Sequence, residues 1–211
     1  MPRKPYQIAD EAAARITSKI HQQFRHNRLA LFDEMNIIQI KKHIDRLYKD
    51  VYKIVKNEFT AILNPIYQDI YDEAIDMGFD GDIRDLDEAW VEDFFDEYNP
   101  VTKYVFSNEI DRKKSRLFES LVASTVERTQ SYKTAENLLI KQVKQYAIEL
   151  EDAIAKVVYE DTGVTKVEWF AEDDDKTCGD CKKLDGQIFK LNDVPPKQHY
   201  NCRCYTVPIK E

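Results

Sequence analysis

From Tyr6 to about Asp161 the apolar positions recur at helical spacing. Ile8, Ala12, Ile16, Ile20 and Phe24 fall at every fourth position and predict one amphipathic helix. Ile37, Ile40, Ile44, Leu47, Val51 and Ile54 alternate steps of three and four, the seam of helices that pack knobs into holes. Pro65 ends or kinks this run, because proline has no N–H to give and disfavours a helical residue before it. The stripe resumes at Ile66, Ile70, Ala74 and Met77, and Gly78 and Gly81, with Asp80 and Asp82, mark a turn. A short acidic helix is then expected to bury Leu86, Trp90 and Phe94. Asn99-Pro100 predicts an N-cap with proline at the first helical position. That helix carries Val101, Tyr104 and Val105 and continues or restarts through Leu117, Leu121 and Val122. The clearest stripe is Leu139, Val143, Tyr146, Leu150, Ala153 and Val157, which predicts a helix over about 133–159, ~40 Å long at 1.5 Å per residue.

At Thr162-Gly163 the period changes. The β-branched and aromatic run Val164–Phe170 predicts a strand. Asp185-Gly186 is a turn signal ahead of a second strand over 187–191, Pro195-Pro196 breaks the chain, and 203–207 predicts a third. The expected fold is therefore mainly α: an elongated helical bundle or hairpin body over 1–162, then a small β-rich, zinc-ribbon-like module over 163–211. A unit of that size buries too little for a large core and commonly needs a metal or disulfides.

Charge changes the picture only locally. The 211 residues carry 31 Lys and Arg against 39 Asp and Glu, a net −8, whereas a bulk nucleic-acid binder is normally basic. Residues 1–56 hold twelve cations against six anions, and residues 72–98 hold twelve anions against Arg84 alone. Glu172–Asp175 is a further acidic block. Such blocks most often are solvated helix faces, and they also steer partners. With five glycines and no cluster of them, the chain lacks the loops that cradle phosphates in nucleotide-binding folds. No apolar run approaches the ~20 residues of a bilayer span. Asp10 and Glu11 follow the N-terminal cations where an export signal needs apolar residues, so synthesis and folding in a cytosol are expected.

All four cysteines lie between Cys178 and Cys204. In a cytosolic chain that crowding points to metal, because a disulfide framework spreads its cysteines through the fold. Cys178-x2-Cys181 and, seventeen residues on, His199-x2-Cys202 repeat a spacing with which a tight turn presents two ligands to one tetrahedral ion. The expected ligands are Cys178, Cys181, His199 and Cys202, holding a structural zinc. Cys204, one residue beyond Cys202, points away if Cys202 ligates from a strand; it is the substitute for either of the last two. Reduced core cysteines and disulfides stand beside the metal as other readings. A Cys–His nucleophile pair finds no surrounding hydrolase pattern. His21, His26 and His43 sit in the basic helices, and His21 is expected to pack or face solvent.

The run Asp174 to Cys181, then Leu184-Asp185-Gly186, Phe189, Val194-Pro195-Pro196-Lys197 and His199-Tyr200-Asn201-Cys202-Arg203-Cys204, resembles the C-terminal signature of the Mu F-like head morphogenesis family of tailed phages and prophages. Tyr98–Tyr104 and Asp111–Leu117 resemble the helical part of such proteins. The resemblance implies a non-enzymatic minor head protein of the virion, present in few copies, bound to the portal inside the head and assisting genome packaging or ejection. Other head proteins are implied as partners, with oligomeric association. The basic residues 1–56 would then face genomic DNA, and the acidic 72–98 block a basic surface of portal or capsid. The competing class is a metal-dependent nuclease or other hydrolase built on the Cys/His cluster and Asp173–Asp175, which needs an open metal position and a general base. A DNA-binding regulator is weaker, because Asp173–Asp175, Asp180 and Asp185 repel phosphates.

Overall fold

The computed structural model describes residues 4–27, 35–101, 104–124, 127–172 and 177–210. Four long helices form a bundle: α1 (Gln7–His26), α2 (Ile37–Asp76), α4 (Phe106–Ala123) and α5 (Arg128–Asp161), with a short α3 (Glu88–Asp96) between α2 and α4. Contacts fix their directions. Tyr6 meets Glu151 and Phe24 meets Tyr132, so α1 runs antiparallel to α5. Phe106 meets Tyr52 while Lys114 meets Asp45, so α4 runs antiparallel to α2. At 1.5 Å per residue α2 is about 60 Å long and α5 about 51 Å. The bundle is elongated, as the stripes require.

The buried stripes differ from the expected ones in their phase. In α5, Leu139, Val143, Tyr146 and Leu150 are buried, but the stripe continues through Ile154 and Val158 instead of Ala153 and Val157. In α2, Val55 replaces Ile54, and Ile37 is exposed. A straight helix of 3.6 residues per turn drifts away from a 3.5 repeat by ~20° every heptad, so the alternating pattern holds for about three turns and then slips by one residue. α2 also passes through Pro65 and does not end there; Ile62, Leu63, Ile66 and Tyr67 around it are all buried, and that packing holds the helix across the missing donor.

Two local expectations are corrected. α3 buries Val91 and Phe95, not Trp90 and Phe94, which lie half-buried and stack on one another at 5.9 Å. Asn99 caps no helix. Tyr98–Asn99 (β1) pairs with Tyr104–Val105 (β2) in a minimal antiparallel hairpin, and α4 starts only at Phe106. Asn99 Oδ1 accepts from the Val101 N–H and its amide donates to Glu149, so the side chain serves the turn and α5 instead.

Beyond α5 the chain turns sharply. Gly163 adopts φ +71°, its N–H bonding Glu160 and the Val164 N–H bonding Tyr159, a Schellman end that only glycine enters without strain. A three-stranded antiparallel sheet follows, ordered β4–β3–β5, from Lys166–Phe170 (β3), Ile188–Lys190 (β4) and Tyr205–Pro208 (β5). A six-residue helix α6 (Gly179–Leu184) precedes β4. Val164 and Val167 join the same buried cluster as the bundle, whereas Trp169 packs with Cys181, Cys202 and Cys204.

Candidate metal centre

Cys178 stands at the N-cap of α6 and its Sγ accepts the Cys181 N–H at 3.4 Å, so one turn presents both sulfurs on the same side. Cys181 is fully buried and central. Its Sγ lies 3.5 Å from His199 Nε2 and 3.5 Å from Cys202 Sγ. The donors form two triads sharing Cys181, one with Cys178 and His199 and one with Cys202 and Cys204, each with its ligand atoms within 4.8 Å of one another. Two sulfurs bound to one tetrahedral zinc at 2.3 Å sit about 3.8 Å apart, so contacts of this length are those a shared ion requires. His199 is set for the role as well. Its Nδ1 lies 3.0 Å from the Tyr200 carbonyl, which calls for the proton on Nδ1 and leaves the Nε2 lone pair facing Cys181.

Cys204 departs from expectation. It was to point away from a strand-borne Cys202, but β5 begins only at Tyr205. Residues 202–204 lie outside the strand, so strict alternation does not apply, and both sulfurs turn toward Cys181. The structure thus groups Cys202 with Cys204 and Cys181, and Cys178 with His199 and Cys181. The backbone N–H of Cys181 holds the Cys178 thiol below its usual range, while burial pushes the Cys181 and Cys204 thiols up. The acidic run Asp173–Asp175 lies outside the described residues.

The loop bearing His199 to Cys204 is tied to the bundle on two sides. On one, the Asn201 N–H donates to Gln145 Oε1 at 2.5 Å, Gln145 donates to Glu149 at 2.7 Å, and Asn99 donates to the other Glu149 oxygen. On the other, Tyr6 sits almost fully buried with its backbone at φ +63°, costly for a non-glycine residue. Its N–H donates to Glu151 at 2.7 Å, its hydroxyl lies 2.7 Å from both Asp152 Oδ1 and the Cys204 carbonyl, and the Lys197 ammonium donates to it at 2.6 Å. Arg203 forks onto Asp10 at 2.7 and 2.8 Å. Lys197, Asn201 and Arg203 belong to the C-terminal signature, but their partners on the bundle carry no motif. Tyr6 and Gln145 read in sequence as ordinary helix residues.

Burial raises the Glu149 carboxyl to about 7 against the two amide donors that favour its ionised form. Because the folded-state value lies above the unfolded one, this group's contribution to stability is full below about pH 4.5 and is lost as pH rises through about 7. Glu149→Gln has no such titration. Denaturant melts at about pH 5 and about pH 8 are expected to show the wild type losing up to about 3 kcal/mol relative to the variant over that interval.

Residues 112–207 match a family model described as Phage Mu protein F like protein. Over this segment the chain is similar to that family. The Mu F-like segment takes in α4 from Arg112, all of α5, the loop anchors Gln145 and Lys197, and all five sulfur and imidazole donors. α1 and α2 lie outside it. An uncharacterized protein of Haemophilus influenzae is 23% identical over 120 residues, covering 52% of this chain and 27% of that relative. No solved structure matches. The chain thus spans about a quarter of the length of the curated relative it matches. Among the described residues no helix is long and apolar enough to cross a membrane.

Proposed function

We propose that the chain is a portal-associated minor head protein of a tailed phage, a non-enzymatic part of the head interior made in the bacterial host cytoplasm. The Mu F-like match over 112–207 carries this reading. The architecture supports it: helices of this length with a continuous buried core make a stiff rod, suited to an assembly part that joins the portal in several copies and assists packaging or ejection. Residues 72–98 are its acidic face for a basic partner. Asp80, Asp82, Asp85 and Asp87 there are exposed around an exposed Ile83. Residues 1–56 are its basic face toward genomic DNA. Residues 163–211 act as a module on the 1–162 body, closed by a structural zinc on Cys178, Cys181, His199 and Cys202, with Cys204 at hand as a fifth donor.

A hydrolytic metal keeps an open position for water. Here five protein donors crowd the space of four, and among the described residues no carboxylate joins either triad, which favours a closed structural site over a nuclease. The test is co-purification of the tagged chain with the portal protein encoded in the same genome. Co-elution as one complex on size exclusion is expected. A folded, metal-loaded chain that elutes apart from an assembled portal contradicts portal association.

A further inference from the structure

Among the described residues of 1–56 the fold separates paired cations from a row of unpaired ones. Arg15 and Lys19 both pair with Glu58, at 2.9 and 2.5 Å, and Lys56 is held between Glu88 and Glu92. These charges are neutralised inside the molecule. Lys42, Arg46, Lys49 and Lys53 are not: all four are exposed on α2 and form no ion pair among the described residues. Their 4-3-4 spacing places them within an arc of ~60°, on the side of α2 opposite the buried Ile40, Ile44, Leu47, Val51 and Val55. The line they make is ~16 Å long. Asp45 on one flank is engaged by Lys114 at 3.5 Å, and Asp50 lies on the other.

We propose that Lys42, Arg46, Lys49 and Lys53 form a phosphate-contacting surface for duplex DNA that is independent of base sequence. This rests on the reading that residues 1–56 face the genome, and it names the residues that do so. Two features favour a nucleic-acid backbone over an acidic protein. The charges lie on the outer face of a helix, only Lys49 bordering the groove between α2 and α4, and no large apolar side chain is exposed on α2 from Gln39 to Lys53. A protein interface needs an apolar anchor at its centre, whereas phosphates spaced every ~3.4 Å along a strand need only a row of cations. The exposed Ile37 and Ile38 lie at the first turn, beyond the row.

Fluorescence anisotropy with a mixed-sequence DNA duplex, titrated by the full chain from about 50 to about 200 mM salt, tests it. The logarithm of affinity is expected to fall against the logarithm of salt with a slope of about −3 to −4, as four phosphate contacts require. The quadruple variant Lys42→Gln/Arg46→Gln/Lys49→Gln/Lys53→Gln should lose at least about tenfold in low-salt affinity and flatten the slope to about −1 or less. A control with Lys133, Lys144, Lys156 and Lys190 changed to Gln carries the same net charge and should bind within about twofold of wild type. Equal losses in both variants, or none in either, overturn the assignment to this row while leaving DNA binding standing. No binding by the wild type at low salt overturns the DNA reading itself. Row-dependent binding of poly-glutamate as tight as that of DNA overturns the choice of partner.

Discussion

Cys181→Ala is expected to abolish metal retention and unfold the C-terminal module while leaving the bundle's helical signal in place. Cys181 is the one donor common to both triads, and it is fully buried. Structural zinc contributes an apparent folding free energy of about 10 kcal/mol or more, far beyond what a small sheet buries for itself. The helices keep a core of their own from Ile16 to Val158, so far-ultraviolet circular dichroism should change little. Trp169 packs directly on the thiols and is one of only two tryptophans. In a Trp90→Phe background its emission should shift to that of a water-exposed indole. Cys204→Ala is the informative companion. With Cys178, Cys181, His199 and Cys202 intact it should keep its metal, and loss of metal there would move Cys204 into the ligand set.

Phe106→Ala is expected to cost the bundle about 3–5 kcal/mol, read as a lower denaturant midpoint at unchanged slope. Phe106 is fully buried where α2, α3, α4 and α5 meet. Its ring stacks on Phe95 at 4.2 Å, meets Tyr146 edge-on at 4.6 Å and lies 6.0 Å from Tyr52. No neighbour collapses into the gap without breaking one of these contacts, so most of the cavity penalty remains. Trp90→Ala, on the half-buried outer side of α3, should cost clearly less. Equal losses would return the buried face of α3 to the phase first read from sequence.

The contrast between Trp90 and Val91 shows what the chain reveals and what it hides. Periodicity reports that a helix has an apolar side, and over α1 from Ala12 onward and most of α5 it names the right residues. Where large aromatics crowd both sides of a short helix, as at Trp90, Val91, Phe94 and Phe95, hydrophobicity alone does not choose the inner face; packing against Phe106 and Phe59 does. Asn99-Pro100 failed for a related reason. A capping residue serves any backbone turn, and here the hairpin and Glu149 claim its amide. Spacing singled out Cys178, Cys181, His199 and Cys202 as a group, since ligand chemistry demands residue types that are rare elsewhere in the chain, but it turned Cys204 away, and the fold brings that sulfur in beside Cys181 and Cys202. The clamp around them was invisible. Tyr6, Gln145 and Asp152 reach the loop of the site across about 45 to nearly 200 residues of chain, and no local pattern encodes such contacts.

The charge blocks teach the same lesson. The basic 1–56 stretch is a single feature in sequence. In the fold Glu58, Glu88 and Glu92 absorb part of it, and four of the cations left exposed line up on one face of α2.

Native mass spectrometry of freshly purified full-length chain, before and after chelation, tests the central claim most directly. One zinc per chain is expected, with four free thiols appearing only when the ion is stripped. A metal-free chain whose module is nonetheless folded, whether its cysteines are free or paired in disulfides, would contradict it.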